Sequence, residues 1–323
     1  MADWRRIWPW AAALALGLPG VSLGWGWWGS GPLPRKIDFT VPDGASLATI
    51  GTRLEAAGAI SAAGRFRLRA RLFAHGARIK AGEFELPAGA SEHQIVAILS
   101  GDEALRRFVT VPEGMPAIMV SERLAAQPYL TGAVPAPAEG SLLPDTYDFK
   151  RGETRAAVLA RMQAAMTKAL AEEWAARAPG LPVATPEQAV TLASIVEKET
   201  GKPEERPMVA GLYENRLRQH IMLQADPTII YPITKGKPLG RRIRESEIHA
   251  VNAYNTYARV GLPDGPITNP SRAALHAVLH PAHTDALYMV ADGTGGHVFA
   301  NTLQQHNANV AKWFAIRRAR GEI

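Results

Sequence analysis

Thr185-Pro186-Glu187-Gln188-Ala189-Val190-Thr191-Leu192-Ala193-Ser194-Ile195-Val196-Glu197-Lys198-Glu199-Thr200 decides how the larger part of this chain reads. Thr185 can cap a helix, Pro186 suits the first helical position, and Gln188 stands three residues past the cap, as a capping box requires. Ala189, Leu192, Ala193 and Val196 repeat at helical spacing and predict one buried stripe. At roughly 100° per residue, Glu197 falls about 80° to one side of Ala189 and Glu199 about 80° to the other, while Lys198 points away. Spacing puts both carboxylates at the boundary and does not choose between them. Such a carboxyl group is a candidate general acid, because desolvation raises its pKa and keeps it protonated near neutral pH. The plainer alternative is an amphipathic helix with solvated flanking glutamates.

Upstream, Val158, Leu159, Met162, Met166 and Leu170 predict a long packing helix between Thr154 and Ala178. Downstream, a helix entered at Pro207 carries Val209, Leu212, Tyr213 and Leu217 on one face, and Thr228 to Tyr231 reads as a short strand. Helices mixed with short strands in this order predict an α+β fold. Nearer the N-terminus, a polar link from Ser30 to Lys36 precedes a strand from Ile37 to Val41. A helix from about Ser46 to Ala57 follows, with Leu47, Ile50, Leu54 and Ala57 inward and Gly58 as its stop. Leu86-Pro87-Ala88-Gly89 and Val111-Pro112-Glu113-Gly114 start further strand-turn-helix units. Arg65, Arg67, Arg69 and Arg71 read as a solvated helix face.

With 323 residues, 47% of them apolar, the chain can bury one substantial core and a second small one. Its net charge of +6 suits a polyanionic surrounding, but no nucleic-acid-binding signature accompanies the charge. The absence of cysteine removes disulfides, thiolate metal sites and a thiol nucleophile. From Ile7 to Trp28 no residue is charged, a run of about 22 positions and enough to cross a bilayer as a helix. Arg5 and Arg6 precede it, so the N-terminus is expected in the cytoplasm and the rest outside, with Trp25, Trp27 and Trp28 at the outer interface. A cleaved signal peptide competes with this reading, but no clear cleavage site follows. The expected organisation is a stub and single transmembrane helix over 1–29, a small α+β subdomain over 30–108 and a larger α+β domain over 109–323.

Several pattern matches carry little weight. Gly20-Val21-Ser22-Leu23-Gly24 fits a nucleophile elbow and Gly24-Trp25-Gly26-Trp27-Trp28-Gly29 a dinucleotide fingerprint, yet neither lies between a soluble strand and a helix. His276, His280 and His283 are close in sequence, but Pro281 interrupts their helix and no glutamate holds the zincin position, so no metal is expected.

Beyond the opening stretch lie Glu139-Gly140, Leu143-Pro144-Asp145-Thr146-Tyr147-Asp148-Phe149, Asn215-Arg216-Leu217, and Met222-Leu223-Gln224-Ala225-Asp226-Pro227-Thr228-Ile229-Ile230-Tyr231. Tyr254-Asn255-Thr256-Tyr257, Gly261-Leu262-Pro263, Gly265-Pro266-Ile267, Asn269-Pro270, Gly296-His297-Val298-Phe299 and His306-Asn307 follow. This series resembles the YceG-like family of endolytic murein transglycosylases over nearly the whole chain after its first thirty residues. Asp264 stands where the family commonly has a second proline and Ser271 where it has glycine. The resemblance implies a LysM-like subdomain over 30–108, associated with glycan containing N-acetylglucosamine, and a catalytic domain over 109–323.

It also implies a lyase that needs one carboxyl group and no cofactor. Glu197 is preferred as that group on the resemblance alone: it would protonate the oxygen between N-acetylmuramic acid and N-acetylglucosamine, then take the proton of the muramic 6-hydroxyl as a 1,6-anhydro ring closes. Glu199, Asp226 and Glu139 are candidate second carboxylates, which a hydrolytic muramidase would need. Asn215, Gln224 and Asn255 can bond acetamido groups, Tyr254 and Tyr257 can stack on sugars, and His297 can line the cleft. The expected partners are peptidoglycan strands, the inner membrane through the N-terminal helix and, by resemblance, penicillin-binding proteins. A wall-binding scaffold without activity is the third reading, and it leaves Glu197 unexplained.

Overall fold

The computed structural model describes residues 24–102 and 104–323. Contacts divide the chain into two compact units, meeting in sequence between Arg107 and Phe108. Most of the expected membrane span, from Ile7 onward, lies outside the described residues. Among the described residues no helix is long and apolar enough to cross a membrane.

The first unit begins with a helical turn at 24–28, then β1 (Ile37–Val41), α1 (Leu47–Ala56), α2 (Ala63–Phe73), β2 (Gly82–Leu86) and α3 (Glu92–Ser100). β1 and β2 pair antiparallel, with Phe39 opposite Phe84, because alternate residues of each strand face one core. Ser46 caps α1, and Ser91 with Gln94 forms a full capping box on α3. Phe39, Ile50, Leu54, Phe66, Phe84 and Leu99 fill the core.

Two expectations change here. Trp27, placed at a membrane interface by sequence, is a core residue at 1% exposure, with Phe73 and His93 against its ring, while Trp25 and Trp28 are exposed. Arg69 is not on a solvated face with Arg65, Arg67 and Arg71: it is buried and donates to Glu92 at 2.9 Å. The link before β1 is likewise packed, with Gly31 N–H bonded to Gly89 O and Leu33 in the core.

The second unit contains β3 (Arg107–Thr110) from its second residue on, α4 (Ala117–Ala125), β4 (Thr146–Phe149), α5 (Arg155–Ala175), α6 (Pro186–Glu199) and a 3₁₀ turn (Pro203–Glu205). It continues through α7 (Arg206–Arg218), α8 (Asp226–Thr234), the short α9 (Glu245–Ile248), α10 (Arg272–Leu279), β5 (Tyr288–Ala291), β6 (His297–Ala300) and α11 (Leu303–Ala319). Its sheets are two-stranded, β3 with β4 and β5 with β6, so the fold is α+β. α6 is the core helix and packs against α5, α7, α8 and α10. Every residue from Ala189 to Glu197 is buried, so this helix has no solvated stripe. Burying Leu192, Ile195 and Val196 contributes about 1.5–3 kcal/mol each, which makes α6 the anchor for whatever its C-terminus carries.

Thr185 caps α6 as expected, but Gln188 reaches back to Ala184 N–H, one residue before the cap. Thr228 to Tyr231 is helical, not a strand. Pro227 occupies a first-turn position in α8, and Thr228 spends its hydroxyl on Ala225 O at 2.6 Å, which offsets its β preference.

Candidate active site

Glu197 and Glu199 leave the end of α6 toward different surroundings. The Glu197 carboxylate is buried and fully engaged: Arg206 Nη2 donates to Oε1 at 3.0 Å, and Ser271 donates to Oε2 from its N–H at 2.8 Å and its hydroxyl at 2.6 Å. Arg206 also donates to Glu113 at 2.6 Å. An acid must hold a proton and present it to substrate, and here both oxygens accept hydrogen bonds within protein. The structure thus gives Glu197, preferred on the resemblance, a brace's surroundings.

Glu199 lines a cleft of about 250 Å³ together with Tyr213, Arg216, Gln224, Asp226, Tyr257 and His297. Burial pushes its carboxyl up to about 7, and the Asp226 carboxylate adds to the rise, against the Tyr213 hydroxyl and the Arg216 guanidinium. Its Oε1 is buried without a hydrogen-bond partner. Asp226 opens α8 and accepts the Tyr257 hydroxyl at 2.6 Å. Gln224, held at φ 53°, lies 3.4 Å from Arg216 Nη1 through its Oε1. Arg216 spends Nε and Nη1 on the carbonyls of Leu287, Met222 and Leu223, so the cleft floor is pinned by backbone bonds.

The other expected residues separate from this cleft. Asn215 donates to Thr284 O and Ala286 O, and Asn255, fully buried, donates to Ile248 O and Ala250 O; each is spent on a loop. Tyr254 packs on Tyr231 with ring centroids 4.7 Å apart. Glu139 accepts Ala117 N–H at 2.8 Å and borders a separate apolar groove of about 810 Å³ with Leu170, Trp174, Val190 and Pro266. Burial lifts its carboxyl to about 7 as well. Of the three histidines noted in sequence, His276 and His280 stack at 4.3 Å and Glu173 joins them, with ligand atoms within 4.8 Å of one another. Those atoms are already bonded to one another or to backbone carbonyls, and Arg272 sits 2.8 Å from Glu173, an unfavourable neighbour for a cation.

Residues 39–312 match the YceG-like family. The chain belongs to the YceG-like family.

Relatives of this YceG-like chain include endolytic murein transglycosylases of Streptococcus pneumoniae, 30% identical over 86% of the chain. Another, from Bacillus subtilis, is 32% identical over 56% of it. The chain spans 58% of the pneumococcal protein's length and 49% of the Bacillus protein's. A crystal structure of a YceG-like protein from Listeria monocytogenes is similar, with TM-score 0.52 and 25% identity, over 85% of this chain and 98% of that one.

Sequence reasoning missed Arg216, Tyr213 and Glu205 as parts of the site. Arg216 stood inside a quoted motif without a role. Glu205 left one trace: a Cβ on Gly296 would fall 2.3 Å from Glu205 Oε1, so the glycine before His297 marks a carboxylate packed against the backbone.

Proposed function

We propose that this chain is a membrane-anchored lytic transglycosylase that cleaves the β-1,4 bond between N-acetylmuramic acid and N-acetylglucosamine, with Glu199 as its general acid. The observation that carries this reading is the contrast on α6: the Glu199 carboxyl borders a cleft and is held protonated up to about pH 7, while Glu197 is consumed by Arg206 and Ser271. Protonated Glu199 donates to the bridging oxygen as positive charge grows at the muramic anomeric carbon. The muramic 6-hydroxyl closes on that carbon, and its proton restores Glu199. No water is consumed. Asp226, steadied by Tyr257, is the nearby negative charge that favours the oxocarbenium centre and keeps Glu199 protonated. Gln224 offers an amide to the sugar substituents.

The finer assignments rest on sequence and resemblance. The charge-free stretch after Arg6 would anchor the chain in the inner membrane with both units outside, and penicillin-binding proteins would be neighbours supplying new strands. The first unit would be a LysM-like module holding glycan, a reading supported by its strand-helix-helix-strand order and antiparallel strand pair.

The test is mass analysis of purified peptidoglycan strands digested by the full chain in detergent. Anhydro-ended products that vanish with Glu199→Gln and persist with Glu197→Gln are expected. Hydrated reducing ends would show a muramidase, and bound but uncut strands a scaffold.

A further inference from the structure

The cleft holds a second group able to handle a proton. His297 opens β6 and lines the same small cleft as Glu199. Its Nδ1 lies 2.8 Å from Glu205 Oε2, and its backbone N–H donates to Glu205 Oε1 at 2.9 Å. The hydroxyl of Thr200, the residue after Glu199, donates to the same Glu205 carboxylate at 3.0 Å. One carboxylate therefore fixes the imidazole to the end of α6. A carboxylate on Nδ1 keeps the ring proton there and leaves Nε2 with its lone pair, the arrangement that makes a histidine a directed base. Among the described hydrogen bonds none reaches Nε2.

The surroundings fit such a role. Gly296 leaves room for the pair, since a Cβ there would meet Glu205 Oε1 at 2.3 Å and Lys202 Nζ at 2.6 Å. Lys202 is drawn aside to Thr294 at 3.1 Å and Asp292 at 3.9 Å. The charged groups around the ring are thus Glu205, Lys202 and Asp292 on the loop side and Glu199, Asp226 and Arg216 within the cleft. A lone carboxyl would have to release a proton to one oxygen and collect another from a second oxygen. A neutral imidazole in the same cleft lets the two transfers overlap.

We propose that the Glu205–His297 pair is a proton relay for Glu199. This inference rests on the lytic reading above. Glu199 gives its proton to the bridging oxygen as the bond from that oxygen to the muramic anomeric carbon breaks. The 6-hydroxyl oxygen bonds to that carbon and loses its proton to His297 Nε2. The imidazolium then returns the Nε2 proton to the Glu199 carboxylate, so both residues end as they began and no co-reactant is needed.

The experiment is the pH dependence of kcat/KM for the full chain on purified glycan strands, comparing wild type, His297→Gln, Glu205→Gln and Glu199→Gln. Wild type is expected to show an acid limb, because the base must be neutral, and an alkaline limb, because Glu199 must be protonated. His297→Gln is expected to lower kcat about 10²-fold, with KM little changed, and to abolish the acid limb alone. Glu205→Gln keeps an acceptor for the ring but removes the carboxylate that fixes its Nδ1 proton and orientation, so kcat is expected to fall about 10–100-fold with KM little changed. It answers the question even where His297→Gln fails to fold. An unchanged kcat in Glu205→Gln or in His297→Gln overturns the relay while leaving the lytic reading intact. Activity retained in Glu199→Gln would instead remove the reading on which the relay stands.

Discussion

Ser271 holds Glu197 Oε2 from two directions, through its N–H at 2.8 Å and its hydroxyl at 2.6 Å. The hydroxyl also accepts Ala274 N–H at 3.1 Å and so caps α10, while Arg206 ties the other Glu197 oxygen to α7. Three helices of the second unit meet on one carboxylate. Removing Arg206 would leave that buried charge uncompensated, and Arg206→Met is expected to cost about 3–5 kcal/mol in denaturant unfolding. Glu197→Gln should cost less, about 1–3 kcal/mol, and leave the product ends unchanged. Loss of activity at full stability in Glu197→Gln would return the acid to that residue.

Ser271→Ala removes a helix cap and one bond to Glu197 together. The expected loss is about 1–2 kcal/mol, read as a lower melting temperature with catalysis largely preserved at moderate temperature. A variant as stable as wild type would show that the backbone N–H alone secures Glu197.

Glu199 should reveal itself in stability as well as rate. Its folded carboxyl is raised from 4.5 to about 7, so the unfolded chain gives up this proton first as pH rises. Stability from this group is therefore fully present below about pH 4.5 and lost through about pH 7. Glu199→Gln is expected to be more stable than wild type at pH 8 by up to about 3 kcal/mol, and indistinguishable at pH 4, in paired denaturant titrations. Equal stabilities at pH 8 would mean that the carboxyl is not desolvated.

Gly140 sits at φ 76°, and a Cβ there would approach Pro266 Cγ to 2.5 Å and Val190 Cγ1 to 2.9 Å. Gly140→Ala is expected to destabilise by more than about 2 kcal/mol, from backbone strain and overpacking together. Thermal unfolding of the full chain reads this directly; a shift under a degree would contradict the packing described.

Trp27→Ala should open a cavity in the first unit and cost about 3–5 kcal/mol, whereas Trp25→Ala, at 80% exposure, should be near neutral. Proteolytic sensitivity of residues near β1 and β2 would separate the two. Truncation at Ser30, which removes Trp27, should behave like Trp27→Ala.

Much of the fold was legible because its signals are local. Thr185 caps the helix expected of it, a long helix does run on from Thr154, and Val158, Met162, Leu192 and Val196 are buried where periodicity put them. The run Thr228-Ile229-Ile230-Tyr231 misled because β-branched residues favour strands only until a neighbour settles their backbone needs. Here Pro227 and the Thr228 and Thr256 hydroxyls, 2.8 Å apart, favour a helix. Arg69 and Trp27 misled for a related reason: burial depends on partners such as Glu92 and Phe73, far away in sequence.

The sequence by itself determined the α+β class, the helix that carries Glu197-Lys198-Glu199 and the membership in the YceG-like family, since caps, periodicity and motif order all lie along the chain. Only tertiary structure separated the two glutamates. Helical spacing is symmetric about the apolar stripe, so it treats Glu197 and Glu199 alike. What distinguishes them comes from residues remote in sequence: Ser271 and Arg206 consume one carboxylate, while Asp226, Arg216, Tyr257 and His297 shape a cleft around the other. A carboxyl group's chemistry is set by its solvation and its neighbours' charges, and both are fixed only when distant segments meet.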